Sequence, residues 1–218
     1  SNGIIKDAGD APEGIEAHIV ENNDITYTYN PENWNAQEAA IVISSQSITL
    51  KNNRIRAKNN CSGIISIAKS PTNFIDNIII CDKPTDLLND NFCGIITSSG
   101  EGVVTGNTII GGKMGYNSSS AASIFSNNTI SQSHYGFKSS GGEEVYRNKI
   151  TNCTGHGVIS YGFKGPFYKN IVMDNDSAGV LGIRDMDLGG GLQNGPGKTI
   201  LKNNGSYDFV FPAKLNHY

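Results

Sequence analysis

The chain has 218 residues, 17 of them Lys or Arg against 20 Asp or Glu, for a net charge of −3, and it carries 26 glycines. Basic residues this few and this scattered exclude an electrostatic footprint for nucleic acid, and no apolar run approaches the ~18 residues that a membrane-spanning helix needs. Cys61, Cys81, Cys93 and Cys153 have no C-x-x-C spacing, which removes the common zinc patterns.

Residues 1–19 are acidic and glycine-rich and read as a lead-in segment or incomplete first turn. Ser1-Asn2 suits an excision scar, so a mature or excised piece of a longer protein is expected. From residue 20 one pattern keeps returning, apolar-x-x-Asn-x-apolar. It appears as Val20…Asn23…Ile25, Leu50…Asn53…Ile55, Phe74…Asn77…Ile79, Val104…Asn107…Ile109, Phe125…Asn128…Ile130, Val145…Asn148…Ile150 and Phe167…Asn170…Val172. A last copy, Leu201…Asn204, has Ser206 in the second apolar place. The asparagines step by 30, 24, 30, 21, 20, 22 and 34 residues. A basal period of about 21 with insertions marks a solenoid, whose repeats stack only on their neighbours.

Glycines followed by an apolar residue keep step with the asparagines, at Gly63, Gly94, Gly115, Gly136, Gly157 and Gly179. The apolar positions are separated by two or three residues and punctuated by Gly, Asn and Ser, with no helical spacing sustained over a helix's length. Short β-branched runs between turn residues read as strands. In each strand alternate side chains enter the bore. The apolar residue three before each Asn is predicted to stack on its counterpart in the next coil. The Asn is placed at a bend, tolerating left-handed backbone angles and passing amide hydrogen bonds from coil to coil. Ser66, Thr97, Ser118, Ser139, Ser160 and Gly182, three after the glycines, form a predicted inward ladder of small residues. Ile65, Ile96, Asn117, Lys138, Ile159 and Leu181, two after the glycines, are predicted to face outward. So apolar an outer stripe usually meets something: a loop of the same chain, a second subunit or an adjoining domain.

Three excursions leave the coil. Residues 27–35 hold Trp34 and suit either binding or a lid over the open end. Residues 81–91 lengthen the third coil. The third runs Arg184-Asp185-Met186-Asp187-Leu188-Gly189-Gly190-Gly191 and then through a Gly-rich turn to Asn204-Gly205-Ser206-Tyr207-Asp208. Cys61 and Cys93 fall on successive coils, so stacked thiols and a disulfide both stay open, with buried free thiols preferred.

These repeats, over residues 15 to 211, resemble the right-handed parallel β-helix of the pectate-lyase-like superfamily. The Asp-Leu-Gly-Gly-Gly insertion and the Asn-Gly-x-Tyr-Asp strand expected after it resemble the final coil of an uncharacterised group of bacterial and archaeal surface β-helix proteins. The resemblance implies an all-β, single-stranded right-handed parallel β-helix of about eight coils, one domain over 1–218. Within it residues 1–19 lead in, 20–183 form the coils, and 184–218 form the last coil and cap, shielding a bare strand edge.

The resemblance also implies a secreted, cell-surface or periplasmic protein acting on or binding an acidic polysaccharide. Lyases of the superfamily take the proton beside a uronate carboxylate with a Lys or Arg, usually with calcium; hydrolases use paired carboxylates. The resemblance therefore points to the charged and aromatic residues near the marker glycines. Lys138 and His156 serve as base and acid, with Arg184 and Asp185 closing one end and Arg184 clamping a carboxylate. His134, Tyr135, Tyr161 and Trp34 contact sugar, and Asp174 and Asp176 hold Ca²⁺ if a metal is used. The alternative is a non-catalytic structural or adhesive β-helix segment of a larger surface or phage-spike protein, with a homo-oligomer or adjoining domain as partner.

Overall fold

The computed structural model describes residues 18–29, 39–44, 47–68, 70–82, 92–98, 102–119, 123–140, 143–161, 166–182 and 199–210. Within them every strand runs parallel to its neighbours, and no helix occurs. The strands form three sheets, which each coil visits in turn. Sheet 1 has seven strands, from His18–Glu21 to Phe167–Tyr168. Sheet 2 has eight, from Asp24–Thr28 to Ile200–Lys202. Sheet 3 has eight, from Ala39–Ile43 to Phe209–Val210. The chain is a right-handed parallel β-helix.

The alternation read from sequence fixes the register. Sheet 1 stacks Val20, Leu50, Phe74, Val104, Phe125, Val145 and Phe167 in one inward column. Sheet 2 stacks Ile25, Ile55, Ile79, Ile109, Ile130, Ile150 and Val172. Sheet 3 stacks Ile41, Ile64, Ile95, Tyr116, Phe137, Val158 and Val180. Midway along the bore Tyr116, Phe125 and Phe137 pack ring on ring, with centroids 4.5 to 5.2 Å apart. Deleting any one would cost about 3–5 kcal/mol, because its coil neighbours cannot collapse into the gap.

The first corner, between sheets 1 and 2, carries the asparagine ladder. From Asn53 to Asn170 each Oδ1 accepts from the main-chain N–H and the Nδ2 of the preceding Asn, and each Nδ2 donates to a carbonyl one coil back. Asn77, for example, accepts from Asn53 at 2.9 and 3.1 Å and donates to the Leu50 carbonyl at 2.9 Å. One expectation is corrected. The left-handed residue is the one before the ladder Asn: Asn22, Asn52, Asp76, Gly106, Asn127, Arg147 and Lys169 have φ between 53° and 71°. The ladder residue is held by its hydrogen bonds, which leave it an ordinary φ.

A second correction concerns the last copy. Leu201 pairs with Val172 in sheet 2, not with Phe167 in sheet 1. Asn204 accordingly meets Asn175, accepting its Nδ2 at 2.8 Å, at the corner between sheets 2 and 3. The Asn-Gly-x-Tyr-Asp segment is that corner rather than a strand; only Phe209–Val210 after it is extended and paired. The Asp-Leu-Gly-Gly-Gly insertion lies outside the described residues.

The marker glycines open sheet 3, where the coils approach most closely. A Cβ on Gly136 would stand 2.4 Å from both the Gly157 carbonyl oxygen and the Ile150 Cγ2. Gly63, Gly94, Gly115 and Gly157 meet the next coil in the same way. The small ladder three residues on is buried as expected at Ser66, Thr97, Ser118, Ser139 and Ser160. The outer row two residues on is outside the core cluster yet covered: Ile65 and Ile159 are only 5% and 7% exposed, and Ile96, Lys138 and Leu181 are half-buried. All four cysteines are buried free thiols.

Candidate functional site

The second corner, where sheet 2 hands over to sheet 3, gathers the aromatic candidates. Gln132, Asn152 and Asp174 take left-handed angles on three successive coils and turn the chain toward sheet 3. The turn throws His134 and Tyr135 to one side, and one coil on it presents Thr154, Gly155 and His156. Hydrogen bonds from Thr154 N–H to the Ser133 carbonyl and from Gly155 N–H to the His134 carbonyl, at 3.0 and 2.8 Å, lock the two coils together. The Tyr135 and His156 rings lie parallel, 5.8 Å apart with planes 10° from coincidence. His134 leans on Tyr135 at 4.2 Å, its plane tilted by 49°. Gly155 makes this possible: a Cβ there would stand 2.8 Å from the Tyr135 Cε1. The result is a cluster in which Tyr135 meets both imidazoles, all three rings half-buried.

The imidazoles are neutral at ordinary pH. Burial pulls the His156 titration below its usual value. For His134 burial does the same, and the nearby Lys113 and His156 charges add to it. His156 Nδ1 accepts the Ala178 main-chain N–H at 3.1 Å, so the ring proton sits on Nε2. That tautomer offers a hydrogen-bond donor and no lone pair at Nε2, which suits a sugar oxygen better than an acidic C–H. His134 Nδ1 and the Thr154 hydroxyl are 2.9 Å apart.

Lys138 and Tyr161 form a second unit on the outer face of sheet 3. The Lys138 ammonium stands 5.6 Å from the centre of the Tyr161 ring, a cation–π contact. Lys138 follows Tyr135 by three strand residues, about 10 Å along the sheet. The structure therefore brings His134, Tyr135 and His156 together and sets Lys138 with Tyr161 a short way off. Asp174 is exposed and accepts from Asn203 Nδ2 at 3.1 Å, while Asp176 is exposed on the next bend. Among the described residues no group of three or more His, Cys, Asp or Glu side chains is placed to hold a metal ion. Arg184, Asp185 and Trp34 lie outside the described residues.

Sequence reasoning missed three residues. Thr154 and Gly155 anchor and seat the rings, and neither carries a motif. Glu143 is wholly buried, its Oε2 accepting from the Ser139 hydroxyl and its Oε1 without a partner. Its charge adds to burial in raising the titration of the enclosed Tyr116 hydroxyl. Two adjacent glutamates, Glu143 and Glu144, opening a strand are the signal, since alternation turns one of them inward.

Residues 15–216 match the family described as protein of unknown function (DUF1565), and the chain belongs to that family. No curated protein and no solved structure matches it.

Proposed function

We propose that this β-helix is a carbohydrate-binding segment of a secreted or cell-surface protein, and that it holds an acidic polysaccharide along the second corner and the adjoining face of sheet 3. The observation that carries this reading is the parallel pair of Tyr135 and His156 rings on adjacent coils. Rings fixed by backbone hydrogen bonds offer edge and face to a sugar with little conformational entropy left to lose. Lys138, held out over Tyr161, supplies a positive charge to a uronate carboxylate. The His156 Nε2–H adds a neutral donor.

Cleavage by β-elimination is the stronger form of the proposal. It would need a base beside the uronate, which the His156 tautomer does not favour, and the roles given to Arg184 and Asp185 rest on the resemblance alone. Binding without chemistry, as in an adhesive segment, therefore leads.

The test is titration of polygalacturonate and alginate, with and without calcium, with ultraviolet absorbance recorded for the unsaturated sugar that elimination creates. Saturable binding with flat absorbance, weakened in a Tyr135→Ala/His156→Ala variant that still melts cooperatively, is the expected result. Rising absorbance would establish a lyase. Binding untouched by the double substitution would refute the assignment of the rings.

A further inference from the structure

The first corner carries a feature that the fold does not ask for. Five coils fill its left-handed position with Asn22, Asn52, Asp76, Gly106 and Asn127, the residue types that tolerate this backbone. On the next two coils the position holds Arg147 and Lys169, at φ 56° and 55°. Long cationic side chains gain nothing from the left-handed region, so strain is accepted twice running at one place on the surface. Each cation follows a tyrosine, in Tyr146-Arg147-Asn148 and Tyr168-Lys169-Asn170.

The tyrosines pair in register on the outward side of sheet 1. Their rings stack 5.2 Å apart with planes 12° from coincidence. The coils before them carry Thr105 and Ser126 in the same row. Arg147 is exposed and Lys169 half-exposed, and Lys149 and Lys202 stand exposed on the adjoining sheet 2. Among the described residues, neither Arg147, Lys149 nor Lys169 is paired with a carboxylate. Glu144 is exposed at the opposite end of the Tyr146 strand from this corner.

We propose that Tyr146, Tyr168, Arg147, Lys149 and Lys169 form a second binding surface, on the first corner, for an acidic polysaccharide lying along the solenoid axis. The unpaired cations at coil spacing fit repeating carboxylates or sulfates. The stacked tyrosines shield one another's inner faces and present edges and hydroxyls, which suits hydrogen bonding to sugar rather than insertion of nucleobases. The surface ends at Lys149, and the rest of the three-residue strand Lys149–Thr151 leads from it toward the Tyr135–His156 corner. It shares the ligand class of the reading above and none of its residues.

The variants are taken from the solenoid itself. Arg147→Asn/Lys169→Asn installs the residue found at 22, 52 and 127, and Tyr146→Ser/Tyr168→Ser installs the residue at 126. Each is titrated with polygalacturonate at several salt concentrations, beside dextran, a single-stranded oligothymidylate and the Tyr135→Ala/His156→Ala variant. The Asn pair should melt no lower than the parent, lose roughly tenfold or more in polygalacturonate affinity, and show a shallower salt dependence. The Ser pair should lose affinity while keeping the salt dependence. Unchanged affinity in the Asn pair overturns the proposal, and if the Tyr135→Ala/His156→Ala variant alone loses binding, only the second-corner site stands. Loss in the Asn pair alone leaves this surface standing and removes the other. Equal binding of dextran, tighter binding of the oligonucleotide, or no binding of polygalacturonate by the parent would each also overturn it.

Discussion

Asn128→Ala tests the ladder that sets the coil period. In the native chain Asn128 Oδ1 accepts from Asn107 N–H at 2.9 Å and from Asn107 Nδ2 at 3.0 Å. Its own Nδ2 donates to the Val104 carbonyl at 2.9 Å and to Asn148 Oδ1 at 3.1 Å. Not all four bonds count alike. Asn107 Nδ2 keeps the Phe74 and Thr105 carbonyls, and Asn148 Oδ1 keeps the main-chain N–H of residue 128. The group left without a partner is the buried Asn107 N–H, since the Val104 carbonyl lies within the ladder of Gly102–Thr105 with Ser123–Ser126. At about 1–3 kcal/mol for an orphaned group, the substitution costs about 1–3 kcal/mol. Asn23→Ala removes an exposed side chain that donates to Glu21 and Asn53, where water can substitute, and costs less than about 1 kcal/mol. Denaturant unfolding of both variants, with hydrogen exchange followed at the Asn107 amide, measures the contrast. Equal costs at the two sites, or an Asn107 amide as protected as before, would refute the reasoning.

Gly136→Ala drives a methyl group into the Gly157 carbonyl and Ile150, neither able to retreat inside the stack, and should cost about 3 kcal/mol, read as a lowered unfolding midpoint. The histidines give a pH signature. Their folded titration lies below the unfolded value near 6.5, so the unfolded chain binds more protons between the two. The stability they contribute is complete above that value and is lost as pH falls through the folded pKa; a His156→Gln variant should show a flatter melting profile over that range. The thiols should resist labelling until the chain unfolds, since burial pushes Cys153 up to about 12 and Cys81, with Cys61 and Cys93 near it, higher still. Mass spectrometry should then count four labels in denaturant, and prompt labelling of the native chain would contradict the packing.

The three inward columns were legible because a strand's side-chain period of two leaves no freedom once one face is buried. Ile64 must enter the bore if Gly63 opens the strand, and Phe137 must do so after Gly136. The misplaced final copy has an equally physical cause. Apolar-x-x-Asn describes Phe167…Asn170 at the first corner and Val172…Asn175 at the second, so Leu201…Asn204 fits either. Only the paired register of Ile171–Met173 with Ile200–Lys202 decides between them. The left-handed residue escaped for a related reason. Asn occupies both positions at Asn22-Asn23, Asn52-Asn53 and Asn127-Asn128, so sequence cannot say which carries the turn and which the ladder. The ring site was half legible: the glycine register put Tyr135 and His156 on neighbouring coils, but the tautomer of His156 depends on the Ala178 amide, which no pattern announces.

A solenoid makes one further distinction available. The bore repeats a single demand at every coil, so an inward residue such as Ile109 or Ile130 reports the fold and nothing else. The outward rows are nearly unconstrained, so a lone exposed Lys or Tyr there carries little weight. Residues that oppose the local demand are the informative ones, because each is retained at a cost. Arg147 and Lys169 accept left-handed angles at about 1–2 kcal/mol each, where Asn or Gly would relieve much of that strain. Glu143 leaves a carboxylate oxygen unpaired in the bore, where its neighbours along the small ladder are satisfied with hydroxyls. The two cations sit on adjacent coils, beside stacked tyrosines and pointing to the same solvent. Strain repeated in register at an exposed surface is what selection for a ligand would leave behind, and the Asn replacements separate it from accident by removing the strain and the charge together.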